Sequence, residues 1–363
     1  MRKNDNKEND FLSLLRSGLW GYPVCADLSD QEWYEIHESA NSHAVGAVVF
    51  DAVAMMENSS QPECGLKMRW ISETILLEKW NCRMDKEISS LIGLMEKSGI
   101  NCQLFKGRAI SDCYLNPYRR TSGDVDLFFE GENYYKAICW AEERRMKFVS
   151  REGGKHVVIY YRGILWEFHY TLLILSLRFL DKRFKRIFLS IRDLSPRRVV
   201  LNNCIVQTFE PTFNVLYIFI HIFKHAQNCG IGLRHYCDLS RVIWNDRELI
   251  EWARLERYLS LLYLRKCFLA CWALMVDYLG LPEHEFFIKL SPRDHKNGAV
   301  LLKSTMESGN FGVLRHKTGV TGLIRKFNTF IYISRITIRF ARIAPFESPF
   351  NLFARIKAFL FSY

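Results

Sequence analysis

Two aspartates separated by one residue in an apolar run, Asp124-Val125-Asp126-Leu127, constrain this chain more than any other feature. Side chains alternate along a strand, so a strand here projects both carboxylates from one face. Their Cα atoms would stand about 7 Å apart at roughly 3.3 Å of rise per residue. Two acids on one rigid edge suit hard divalent cations, and Mg2+ prefers oxygen ligands and bridges to substrate phosphates. Upstream, the apolar run Cys102 to Phe105 breaks at Lys106-Gly107, and a helix-like segment follows as far as Asn116-Pro117. A strand that turns through Lys-Gly into a helix aims backbone N–H groups at an anion. Gly107 allows close backbone approach and Lys106 adds a point charge. The Walker spacing G-x-x-x-x-G-K-[ST] is absent, so this is a different phosphate-binding arrangement.

The order Lys106-Gly107, Arg120, Gly123-Asp124-Val125-Asp126-Leu127 resembles the uncharacterised nucleotidyltransferase family of the DNA polymerase β-like superfamily. Most of that superfamily carries Gly-Ser at the first position. The Lys-Gly variant narrows the resemblance to this family and to related nucleotidyltransferase toxins of abortive-infection systems. It implies transfer of a nucleoside monophosphate from an NTP such as ATP to an acceptor hydroxyl, with two Mg2+ ions. Asp124 and Asp126 would hold metal, Lys106, Gly107 and Gly123 would cradle the triphosphate, and Arg120 would support its charge or the loop.

A hairpin follows the Asp-x-Asp strand: HVVIYY and ILWEFHY flank a turn at Arg162-Gly163. Glu167 is the lone acid of the second run, and an unpaired buried carboxylate is costly. The family tends to read Asp-x-His-Trp here, whereas this chain reads Glu167-Phe168-His169-Tyr170. The resemblance makes Glu167 the third carboxylate, as metal ligand or as base; pairing with Lys106 or Arg120 is the alternative.

At 363 residues the chain can bury a large core and hold two or three structural units. Its eleven cysteines form no C-x-x-C pair, which favours reduced thiols and a cytoplasmic location over disulfides or zinc. No charged start precedes an apolar stretch, and no run is long and apolar enough to span a bilayer. The net charge of +11 sits in two places: Arg178 to Arg198, with eight basic and two acidic residues, and Thr321 to Tyr363, with seven and one. That distribution excludes a whole-protein coat for nucleic acid. The first segment is a solvated helix face or, in a toxin-like enzyme, a tRNA contact. Arg335, Arg339 and Arg342 in the second would serve packing ahead of peripheral contact with a membrane.

Residues 10 to 98 have helical periodicity, with a capping box at Ser29 and Glu32 and one apolar stripe from Trp33 to Ala52. A helix is expected from about Glu132 to Met146, and another begins near Pro211. On the latter His221 and His225 are spaced i, i+4; past Cys229-Gly230-Ile231-Gly232, Arg234 and Asp238 repeat that spacing. These four either line a nucleotide or acceptor cleft or pair between helices. The expectation is an α+β chain: a polymerase β-like core with a small mixed sheet over 99–209, between helical regions 1–98 and 210–363. The resemblance extends over roughly Gln31 to Trp244.

Overall fold

The computed structural model describes residues 2–150, 156–228, 230–286, 288–310 and scattered positions between 331 and 348. Arg339 and most of the basic stretch 321–363 lie outside the described residues. Four helices come first: α1 (Arg2–Trp20), α2 (Asp30–Ser42), α3 (Gly46–Met55) and α4 (Cys64–Lys97). The Ser29–Glu32 capping box starts α2 as its sequence requires. The apolar stripe from Trp33 to Ala52 is not one helix, however. Ala44 takes φ +57, which ends α2 and turns the chain into α3. That break leaves the stripe's spacing nearly intact, so periodicity alone conceals it.

A five-stranded sheet follows, built from β1 (Gln103–Phe105), β2 (Asp124–Phe128), β3 (Lys147–Ser150), β4 (His156–Tyr161) and β5 (Ile164–His169), in the order β1-β2-β5-β4-β3. β2 and β5 run parallel and every other pairing is antiparallel. A parallel pair cannot be closed by a tight turn. Here α5 (Glu132–Glu143), β3 and β4 supply the crossover, and α5 stops short of the expected Met146. Arg162 (φ +51) and Gly163 (φ +79) make the β4–β5 turn, the paired positive φ that a two-residue hairpin favours. A second hairpin, β6 (Arg197–Leu201) with β7 (Cys204–Thr208), turns at Asn202 and Asn203, both at positive φ.

The further helices with assigned bounds are α6 (Arg178–Ser190), α7 (Pro211–Asn228), α8 (Leu233–Asn245), α9 (Trp252–Leu261), α10 (Arg265–Leu279) and α11 (Pro292–Ser308). Among the described residues no helix is long and apolar enough to cross a membrane. Alternation divides the sheet between two cores. Leu104, Val125, Leu127, Trp166 and Phe168 pack with Met84, Ile88 and Leu91 of α4 and Trp140 of α5. Phe105 and Phe128, on the other face, join the large helical core through Phe209, Phe213 and Tyr217. The same face carries the acids, so β2 is apolar on one side and mixed on the other.

Three of the eight basic residues of segment 178–198 are paired with carboxylates. Arg197 is buried between Asp112 and Asp246, both at 2.9 Å, Lys185 pairs with Asp181, and Arg192 with Glu130. α4 acts as the spine of the site. Its buried Asp85 takes both forks of Arg108 at 2.7 and 2.8 Å, and Arg108 also donates to the Pro117 carbonyl. Removing one partner of such a pair leaves a bare charge in the interior. Asp85→Ala should therefore cost about 3–5 kcal/mol in urea unfolding; a loss indistinguishable from zero would mean the pair does not anchor this region.

Candidate active site

The Lys106-Gly107 bend is strained. Lys106 adopts φ 58 and ψ −164, a region nearly reserved for glycine, at a cost of about 1–3 kcal/mol. Gly107 follows at φ +44, and the helix-like segment expected as far as Asn116-Pro117 is a 3-10 helix, Gly107–Cys113. A seven-residue 3-10 helix offers little dipole, so the charge at this bend comes chiefly from Lys106. A Cβ added to Gly107 would meet only the Asp124 carbonyl, at 3.5 Å, and would otherwise enter open space in the cleft.

Strand register assembles the acids. Asp126 lies opposite Glu167 in the parallel ladder, Phe105 flanks Asp126 on its other side, and Asp124 precedes on the same face. Asp126 is buried, and its Oδ1 accepts from Lys106 Nζ at 2.7 Å and lies 2.9 Å from His169 Nε2. The same imidazole nitrogen is 3.0 Å from Glu167 Oε2. The alternative pairing for Glu167 is thus set aside: Lys106 goes to Asp126, and Glu167 has His169 and, at 3.7 Å, His156. Burial alone would raise the Glu167 carboxyl, but the His169 hydrogen bond and the Lys106 charge outweigh it and hold the group at about 2. Asp124 is exposed at the cleft mouth, yet loss of hydration and the neighbouring Asp126 charge push its carboxyl up, against Lys106 and Arg234.

The loop entering β2 is clamped. Asn81 of α4 donates to the carbonyls of Tyr118 and Arg120 at 2.6 and 2.9 Å, and Trp80 donates to Ser122 at 3.2 Å. Arg120 spends its fork on Asp238, with two contacts of 2.8 Å, and Tyr114 donates to the same carboxylate. Its remaining contacts go to Thr121 and Ser122. These bonds tie Arg120 to its own loop and to α8. Asp238 correspondingly pairs with Arg120 and not with Arg234 on its own helix.

Opposite the sheet stand α7 and α8. His221, His225, Arg234 and Asp238 line the same cleft as Lys106, Gly107, Arg120, Gly123, Asp124, Asp126, Glu167 and His169, a space of about 480 Å³. That volume falls in the range of small-molecule sites, roughly 300–1,000 Å³. Burial and the charge of Lys106 keep His221 far below the usual histidine range, so it is neutral at physiological pH. Arg234 bonds the Thr121 carbonyl at 3.1 Å, while its buried Nε has no hydrogen-bond partner. Sequence reasoning missed His156, Tyr217 and His235, which also line the cleft. His156 could have been found by counting register back from His169 across the Arg162-Gly163 turn.

A family model described as "Uncharacterised nucleotidyltransferase" matches residues 29–280. The chain belongs to this nucleotidyltransferase family. The match continues past the Trp244 limit of the resembling motifs and takes in α9 and α10. No curated protein matches this nucleotidyltransferase chain. An antigenic nucleotidyltransferase-like protein from Paracoccidioides brasiliensis, solved by crystallography, aligns over 54% of this chain and 92% of its own, at 17% identity and a TM-score of 0.33. That likeness is too distant to bear on any residue. The family and the mixed five-stranded sheet between helical regions agree with a nucleotidyltransferase core of α+β class.

Gly107→Ala should lower folding stability by about 1–2 kcal/mol, the cost of a side chain in left-handed backbone. Because the new methyl enters the cleft, NTP binding should fall further than stability explains, as read by calorimetric titration. Unchanged NTP affinity would remove the bend from the binding surface.

Proposed function

We propose that this chain transfers a nucleoside monophosphate from an NTP to the hydroxyl of a small-molecule or sugar-type acceptor. The supporting observation is the cross-strand pairing of Asp126 with Glu167, with Asp124 on the same face and the Lys106-Gly107 bend beside them. Carboxylate oxygens are the donors a hard divalent cation prefers, three such groups share one sheet face, and a Cβ on Gly107 would meet only the Asp124 carbonyl. Asp124, Asp126 and Glu167 would hold Mg2+, two ions being the expected number, which supplies neutralisation of triphosphate charge.

The chain's own residues then do the positioning. Lys106, now on Asp126, would turn to the triphosphate. Arg120 keeps the Pro117–Gly123 loop fixed through Asp238, so that Asp124 stays aimed into the cleft. Glu167, held at about 2, stays anionic at neutral pH; a carboxylate that acidic is a poor proton acceptor and suits cation binding better than a base's role. Arg234, with an unbonded Nε, is the reserve of positive charge on the helical wall. A tRNA acceptor draws less support, because Arg197, Lys185 and Arg192 of the basic segment are already paired.

Phosphoryl chemistry of this kind is mostly positioning and charge neutralisation. Asp124→Ala should cut label transfer from NTP by about 10²–10³ or more, with the fold intact by circular dichroism. The assay supplies each labelled NTP, Mg2+ and a cell extract as acceptor source. An Asp124→Ala protein that labels as well as the parent would refute the reading.

A further inference from the structure

The sheet face holds a second donor set, which overlaps the carboxylate trio at Glu167 and adds two histidines. His156 on β4 lies directly opposite His169 on β5, and Glu167 is two residues before His169 on the same face. One ligand atom from each of the three falls within 4.8 Å of the others. Nε2 of His169 is 3.0 Å from one Glu167 oxygen and Nε2 of His156 is 3.7 Å from the other. Both rings therefore present Nε2 to a single carboxylate.

His156 is the telling member. At 3.7 Å its Nε2 is beyond hydrogen-bond reach, and its buried Nδ1 has no partner, so a half-buried imidazole stands here with neither nitrogen hydrogen-bonded among the described residues. Polar groups in such places ordinarily find partners. A metal–nitrogen bond of about 2.1 Å allows donor atoms up to about 4.2 Å apart. The two measured separations already meet that limit, and the widest in the set needs less than an ångström of closure. Mg2+ takes oxygen donors, whereas imidazole suits zinc-like ions.

We propose that His156, Glu167 and His169 form a nitrogen-rich cation subsite for a borderline divalent transition-metal ion of the Zn2+ or Co2+ kind, adjoining the carboxylate site and sharing Glu167 with it. This rests on the cleft being the nucleotidyl-transfer site only for its consequence, a metal preference wider than Mg2+; the binding itself stands alone. Three protein donors leave one position of a tetrahedral site open, as in zinc sites that do chemistry. Binding would displace the proton on His169 Nε2 to solvent.

The test uses chelator-treated full-length protein and Co2+ alone, with no nucleotide, read by visible ligand-field absorption. The parent should bind one Co2+ with the strong bands of a four- or five-coordinate site. His156→Gln should weaken that binding by about tenfold or more. His156→Cys, which still offers a ligand, should retain it and add a thiolate-to-cobalt charge-transfer band. A weak octahedral spectrum in the parent, or equal affinity in His156→Gln, would overturn the subsite. Label transfer with Mg2+ but no histidine-bound cobalt sinks the subsite and leaves the enzymatic reading standing. Histidine-bound cobalt without transfer from any NTP does the reverse.

Discussion

The site depends on one parallel pairing. β2 and β5 meet in a register that sets Asp126 against Glu167, and a slip of one residue would turn every acid to the opposite face. Three carboxylates on one sheet face repel one another and lose hydration, a combination a core tolerates only with compensation. Lys106 and His169 supply it by converging on the same oxygen of Asp126. Lys106 reaches that oxygen from a backbone conformation that is itself unfavourable. Strain at the bend and repulsion among the acids thus meet at the same ion pair.

The surroundings make this arrangement rigid. α4 grips the Pro117–Gly123 loop through Asn81, Trp80 and the buried Asp85–Arg108 pair, while α8 grips it from the other side through Asp238 and Arg120. The loop that delivers Asp124 is therefore held between two helices far apart in sequence. The contacts that hold the loop run from Trp80 to Asp238, and the family match over 29–280 contains all of them.

What could be read in advance divides along physical lines. Period-two alternation around Asp124 and Asp126, the Arg162-Gly163 turn and the lone acid at 167 are local signals, and they located the sheet's central strands and its acidic face. The i, i+4 repeats at His221/His225 and Arg234/Asp238 put four residues on α7 and α8, and all four line the cleft. Partner choice was not local. Asp238 takes Arg120 and not Arg234, and Lys106 takes Asp126 and not Glu167, because side chains across 118 and 20 positions of sequence meet only after folding. The β6–β7 hairpin was overlooked although Asn202-Asn203 between alternating runs is a turn signal; the arginines there drew attention as surface charge, whereas Arg197 is buried. His156 was missed for want of the register across the hairpin.

The most direct test is anomalous diffraction from crystals grown with Mn2+ and a non-hydrolysable NTP. The account predicts a metal peak bounded by Asp124 and Asp126, with the triphosphate lying along the Lys106-Gly107 bend. A nucleotide bound elsewhere, or metal that leaves both aspartates untouched, would contradict it.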